Sequence, residues 1–300
     1  MTIRGNVDSE RTNESDAARA ILRFGADLVG RVTSRSRTLP ALLVSGGHRC
    51  GTTSMYKALV QQPTVFRPVW RKGVHYFDVD YDRGLDWYRS HFPLAVQLDL
   101  AARRHGTRAL AFESSPYYLF HPLAPARIAR DLPDAQLLVL VRDPVERAHS
   151  AHAHEYARGF EDLDFASALA AEDDRLRGEE ARLVADPTYR SDAHRHQAYR
   201  ARGEYAAQLE RVAAIVGRDR IKVVDSHQFF NEPEEVFGSV LDWLGVARGA
   251  RTRFERHNAR PRAEMPEDLR RRLEEHFAPH DAALEEWLGH VPSWRSEVAR

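Results

Sequence analysis

A short apolar run, Leu42-Leu43-Val44, gives way at Ser45 to the glycine-bounded turn Gly46-Gly47-His48-Arg49-Cys50-Gly51. Helical character resumes through Thr52-Thr53-Ser54-Met55-Tyr56 and Lys57-Ala58-Leu59-Val60. A strand that turns tightly into a helix leaves backbone N–H groups pointing into one concave space. The helix dipole adds a positive field there, so the turn is built to hold a phosphate or a sulfate. Turns of this kind also occur in α/β proteins that bind nothing at them, so the rest of the chain has to decide.

Gly46 and Gly51 are spaced as in the nucleotide-binding loop G-x-x-x-x-G-K-[ST], but Thr52 stands where that loop has its lysine. The lysine serves the β- and γ-phosphates of ATP or GTP. Its absence argues against hydrolysis of those nucleotides while keeping the anion cradle, and Arg49 supplies a cation from inside the turn. The chain has 300 residues, enough for one large α/β domain or two small ones. Lysine plus arginine and aspartate plus glutamate are equal at 44 each, so no global charge advertises a nucleic-acid partner. One cysteine, Cys50, excludes an internal disulfide framework and a cysteine metal cluster, and fits a reducing cytoplasm. No apolar run approaches the roughly eighteen residues of a membrane span, and the first residues lack the apolar block of a signal peptide.

Residues 1–14 are polar and read as a tail. Ile21, Leu22, Leu28, Val29 and Val32 fall near helical spacing among arginines, so a helix is expected over 15–35. Packing on the domain surface is the favoured reading of that helix. The sharper one is an interfacial contact with an anionic membrane at the inner face. Leu39-Pro40 closes this extension, dividing the chain into 1–38 and a domain over 39–300. Further strands are expected within 108–112, 137–141 and 221–224, with helices after residue 203 and over 237–244. A last amphipathic helix runs from about 266 to 277, and Leu284–Leu288 follows separately. Residues 157–200 are rich in Arg, Asp, Glu and Ala with few large apolar side chains, and read as exposed helices or a cover over a site.

Leu137-Leu138-Val139-Leu140-Val141 has the pattern of a parallel strand buried on both faces. It runs straight into Arg142-Asp143-Pro144-Val145-Glu146-Arg147-Ala148-His149-Ser150. Ligands of open α/β sheets sit at the carboxyl ends of strands, where Arg142 stands. With Pro144 opening the next helix, Ser150 two turns on faces the same region.

These stretches together resemble sulfotransferases that use 3′-phosphoadenosine 5′-phosphosulfate (PAPS), in the same order over roughly residues 40–290. The opening turn resembles their 5′-phosphosulfate loop, in which a basic residue precedes G-T-T-S. Arg142 to Ser150 resembles their 3′-phosphate element, R-[DN]-P-x-x-R-[AT]-[YHW]-S. Lys72-Gly73-Val74-His75-Tyr76-Phe77-Asp78 resembles K-E-x-H-[FY]-F-D, and Gly84 to Tyr88 with Phe92-Pro93 resembles G-x-x-W-Y…F-P. Glu113-Ser114-Ser115-Pro116-Tyr117-Tyr118-Leu119 resembles E-[KA]-[ST]-P-x-Y-[FL], except that the lysine some members carry is Ser114 here.

The resemblance implies an α/β fold with a central, mainly parallel sheet flanked by helices, related in layout to P-loop nucleotide kinases. It implies in-line transfer of a sulfuryl group from PAPS to a hydroxyl or amine, without a metal, and with adenosine 3′,5′-bisphosphate as product. The implied donor site comprises Arg49, Cys50, Gly51, Thr52, Thr53, Ser54, Arg142 and Ser150, with Arg260 and Arg262 as candidates for a closing basic loop that could equally be solvated. In the family the glutamate of K-E-x-H is commonly assigned as the base. Here it is Gly73, so either His75 takes the proton, with Asp78 beside it, or another carboxylate does, Glu113 being the candidate.

Two rivals follow from the departures. One is a P-loop phosphotransferase, which the missing lysine and Arg142 contradict. The other is a non-catalytic or degenerate binder of adenosine 3′,5′-bisphosphate. Trp70, Tyr76, Phe77, Trp87, Tyr117 and Tyr118 suit a small-molecule, glycan or lipid acceptor, and the arginine-rich extension tilts the choice toward a lipid or glycolipid.

Overall fold

The computed structural model describes residues 30, 32–69, 71–249, 251–255 and 264–298. Trp70, Arg260, Arg262 and nearly all of the expected helix over 15–35 lie outside the described residues.

Five strands form one sheet: β1 Leu42–Gly46, β2 Val65–Phe66, β3 Leu110–Ser114, β4 Gln136–Val141 and β5 Ile221–Asp225. The order is β2-β3-β1-β4-β5 and every pairing is parallel. This is the expected α/β architecture, and its cause is visible in the strands. β1 and β3 are buried at every position and β4 at all but its first, because helices cover both faces. β1 lies between β3 and β4, where the winding of the sheet reverses, and ligand sites of open sheets lie at such a switch point.

The helices are α1 Thr52–Val60, α2 Leu85–Arg89, α3 Ala95–His105, α4 Ala124–Asp131, α5 Pro144–Tyr156, α6 Phe165–Leu176, α7 Glu179–Ala185 and α8 Asp192–His196. They continue as α9 Tyr205–Val216, α10 Ser226–Asn231, α11 Pro233–Leu244, α12 Glu267–Leu288 and α13 Ser293–Val298. α5 starts as its sequence dictates: Asp143 accepts from the N–H groups of Val145 and Glu146, and Pro144 takes the first turn. α11 stops at Gly245, which takes the left-handed cap. The two pieces expected after residue 266 are one helix, α12, which runs on through Pro279 with Phe277, Asp281 and Leu284 buried along one side.

Of the two readings of residues 157–200, the helical one is seen, as α6, α7 and α8 with many exposed positions, and these helices are firmly anchored. Buried carboxylates pin them. Glu161 accepts from Arg175, from Tyr199 and from the N–H groups of Asp162 and Leu163. Glu172 takes the N–H groups of Arg200 and Ala201. A second small core of Val145, Leu169, Tyr199, Leu269, Leu273 and Phe277 joins α5, α6 and α12 beneath them.

Candidate functional site

The carboxyl ends of β1, β3, β4 and β5 open into one cleft of about 630 Å³, lined among others by Arg49, Thr53, Ser114, Arg142, Ser150 and Ser226. Its floor is the turn after β1. Gly51 caps α1 with φ +85°, and a side chain there would press on the Phe230 ring 3.2 Å away, so glycine is required twice over. Arg49 also sits at positive φ, +68°, and its Nε donates to Ser150 Oγ at 3.1 Å. The loop cation and the helix serine, a hundred residues apart in sequence, thus meet directly.

Arg142 leaves the end of β4 on the same cleft, 3.6 Å from Glu146. Its backbone carbonyl is held by Tyr205, whose hydroxyl donates at 2.9 Å. Tyr205 is otherwise buried in the core and contacts the Cys50 thiol at 3.4 Å. Cys50 borders the cleft, but its side chain is fully buried and burial pushes the thiol pKa up. Its carbonyl accepts from the Ser226 hydroxyl at the start of α10. Thr52 and Thr53 line the cleft as expected. The Ser54 side chain does not: it is buried and faces a separate cavity of about 220 Å³ with Phe229, Phe230 and Phe254.

A cation that opens the K-E-x-H resemblance, but was given no role there, completes the floor. Lys72 Nζ donates to Thr53 Oγ1 at 2.9 Å and lies 5.5 Å from the centre of the Tyr56 ring. Burial lowers its pKa from 10.5 to about 8. Thr52 replaces the loop lysine in sequence, but Lys72 puts an ammonium beside the same helix N-terminus through space. The lysine of the K-E-x-H resemblance was the signal that marked residue 72, while its contact with residue 53 is set by the fold.

On the far side of Lys72 stands His75, at φ +59°. Its Nδ1 lies 2.8 Å from Asp78 Oδ2, and its own N–H donates to Ser115 Oγ at 3.2 Å. Burial works to lower the His75 pKa, but the Asp78 charge and hydrogen bond outweigh it and hold it above the ordinary 6.5. Asp78 is pushed up by its own burial, and the imidazole more than reverses this, leaving the carboxyl below its usual range. Asp78 fixes one ring nitrogen, and His75, its side chain 31% exposed, is among the residues that line the cleft.

Glu113, the alternative base, is placed elsewhere. It is wholly buried and accepts from Tyr88 and Tyr118 at 2.7 Å, from Ser115 at 2.9 Å and from the Val74 N–H at 2.7 Å. This carboxylate has four donors around it and is not among the residues that line the cleft. Nor can Gly73 be the relic of a lost glutamate side chain in this backbone. A Cβ there would lie 2.5 Å from the Ser114 carbonyl oxygen. Gly73→Glu is therefore expected to destabilise the fold by about 1–3 kcal/mol, read as a lower urea midpoint. A variant with an unchanged midpoint and raised turnover would contradict this packing.

The aromatic set is mostly core, contrary to expectation. Tyr76, Phe77, Trp87 and Tyr118 are buried against one another, and of the described members only Tyr117 lines the cleft. Much of the remaining lining is basic instead: Arg158, Arg195 and Arg202, the last lying 4.8 Å from the centre of the Tyr117 ring, with His48, His196 and Glu155. Burial lowers the Arg202 pKa from 12.5 to about 10. Burial, then the neighbouring Arg202, holds His48 well below 6.5, so it is neutral at neutral pH.

Fold and cleft together define an α/β protein that gathers arginine and lysine beside one helix N-terminus at the carboxyl ends of its strands. The sulfotransferase domain family matches residues 39–297, and the chain belongs to that family. A sulfotransferase from Alicyclobacillus acidocaldarius of known crystal structure superimposes with a TM-score of 0.62 at 30% identity, covering 86% of this chain and 99% of that one. Human heparan sulfate glucosamine 3-O-sulfotransferase 6 is 29% identical over 271 residues, which are 86% of this chain and 74% of that protein. Human bifunctional heparan sulfate N-deacetylase/N-sulfotransferase 3 is 27% identical over 219 residues, 69% of this chain. The chain spans only 22% to 34% of the length of that protein and of its bifunctional counterparts from Caenorhabditis elegans, Caenorhabditis briggsae and mouse.

Proposed function

We propose that this chain is a PAPS-dependent sulfotransferase that modifies a hydroxyl or amine of a glycan or small molecule. The observation that carries this reading is the convergence of Arg49, Lys72, Arg142 and the α1 N-terminus on one cleft that also bears the His75–Asp78 pair. A cleft of about 630 Å³ suits a nucleotide and part of an acceptor.

PAPS, when bound, supplies the sulfuryl group, and its adenosine 3′,5′-bisphosphate half is the leaving group. The amides of residues 51–54, with Arg49, Lys72 and Thr53, hold the 5′ end and stabilise charge building on the departing oxygen. Arg142 and Ser150 hold the 3′-phosphate, which ATP lacks. Neutral His75 accepts the acceptor's proton at Nε2, and Asp78 stabilises the imidazolium that results. The basic lining of Arg158, Arg195 and Arg202 favours an acceptor bearing carboxylate or sulfate groups, in line with the heparan sulfate enzymes among the relatives.

Arg142→Ala should weaken binding of adenosine 3′,5′-bisphosphate by about 1.5–3 kcal/mol, roughly tenfold to a hundredfold or more in Kd. Titration calorimetry reads this directly, and an unchanged affinity would remove Arg142 from the site. A transfer assay with labelled PAPS and sulfated or carboxylated glycans separates an enzyme from a degenerate binder, which would bind the bisphosphate without turnover.

A further inference from the structure

Outside the cleft, α12 carries His276 and His280 one helical turn apart, so both rings face the same way. Opposite them Glu204 stands at the N-terminus of α9. His276 Nε2 lies 3.2 Å from Glu204 Oε1, and His280 Nε2 lies 3.8 Å from the same oxygen. One ligand atom from each of the three residues falls within 4.8 Å of the others. Their side chains are 30%, 35% and 30% exposed for His276, His280 and Glu204, open enough for an ion to enter.

We propose that Glu204, His276 and His280 form a transition-metal site, with Zn²⁺ the ion that fits. Two imidazoles and one carboxylate are a zinc donor set, and a tetrahedral ion with bonds of 2.0–2.2 Å needs its donors about 3.3–3.6 Å apart. The two separations from Glu204, 3.2 and 3.8 Å, bracket that, and the two imidazoles offer atoms within 4.8 Å of each other before any ion draws them in. A water takes the fourth position. Arg200, the cation nearby, is already matched by Glu172 at 3.6 Å and Asp173 at 2.7 Å. The other trio of similar composition, His48, His154 and Glu155, lies in the cleft, where Arg49, Arg147 and Arg202 oppose a dication.

The position suggests a clamp. Glu204 lies between Arg202, in the basic lining, and Tyr205, which holds the Arg142 carbonyl. Gly203 already packs against Phe277, where a Cβ would meet the ring at 2.7 Å. An ion bridging Glu204 to α12 therefore fastens the segment that carries two parts of the cleft.

The test is titration of the chelator-treated full chain with ZnCl₂, followed by calorimetry and by thermal melting. Wild type should show one saturable site and, at a hundredfold excess over Kd, a melting midpoint raised by roughly 5 °C. Both effects should vanish in His276→Ala and His280→Ala and persist in His154→Ala. Co²⁺ should give four-coordinate visible absorption bands lost in the same two variants. Should either alanine variant melt without a cooperative transition, His280→Gln, which keeps the bulk, is compared instead. The proposal fails if wild type shows no saturable binding, if binding survives loss of His280, or if it disappears in His154→Ala.

Discussion

Replacing His75 with alanine should lower kcat for sulfuryl transfer by about 10²–10⁴-fold, the usual worth of a positioned general base, and leave donor affinity within about twofold. The imidazole is poised for that one task. Asp78 holds Nδ1 at 2.8 Å, and the ring belongs to the lining of the cleft. Glu113→Gln makes the contrasting case. It replaces an acceptor of four donors by a group that must itself donate, so it should lower the melting midpoint rather than remove a base. If His75→Ala keeps full turnover while folded Glu113→Gln loses it, the roles are reversed. Asp78→Asn adds a subtler readout. It removes the charge that raises the His75 pKa, so the acid limb of kcat/KM should move to lower pH even as kcat falls.

What could be read from the chain beforehand divides along a physical line. Features set by local order were legible. The aliphatic run over 137–141 could only be a strand buried on both faces, and Arg142-Asp143-Pro144 after it could only be a strand end passing into a capped helix. The glycine turn before Thr52 announced a strand passing into a helix for the same reason. Features set by contacts across the sheet were not legible. Whether Glu113 served chemistry or structure depended on Tyr88, Tyr118 and Val74, none of which is adjacent to it. The aromatics around residue 76 had the composition of a sugar platform, yet they stack on one another beneath the site.

In residues 157–200 the helices were legible but their anchoring was not, for a related reason. Low apolar content normally means exposure, because burying a charge without partners is costly. Here the partners are supplied. Glu161 and Glu172 each collect backbone and side-chain donors from distant turns, so a polar segment is folded onto the core and brings Arg195 to the cleft. Arg195 is therefore held on an anchored segment, and its proposed part in acceptor choice can be tested by substitution.

Lys72 carries the second large expectation. Lys72→Met should reduce kcat/KM by about 10²-fold or more, since it removes a charged donor from the place where negative charge gathers on the leaving oxygen. Its pKa, lowered by burial to about 8, gives the effect a pH signature. Below that value the ammonium is protonated and attracts the donor; above it the amine is neutral and the attraction is lost. In wild type kcat/KM, which reports the free enzyme, should therefore fall as pH rises through about 8. Because His75 must be neutral and its pKa sits above 6.5, the profile is a narrow bell. Lys72→Arg keeps the charge at all these values, so its alkaline limb should disappear while the acid limb stays. An alkaline limb that persists unchanged in Lys72→Arg would mean another group titrates there, and the lysine would then be a packing element of the floor rather than a grip on the donor.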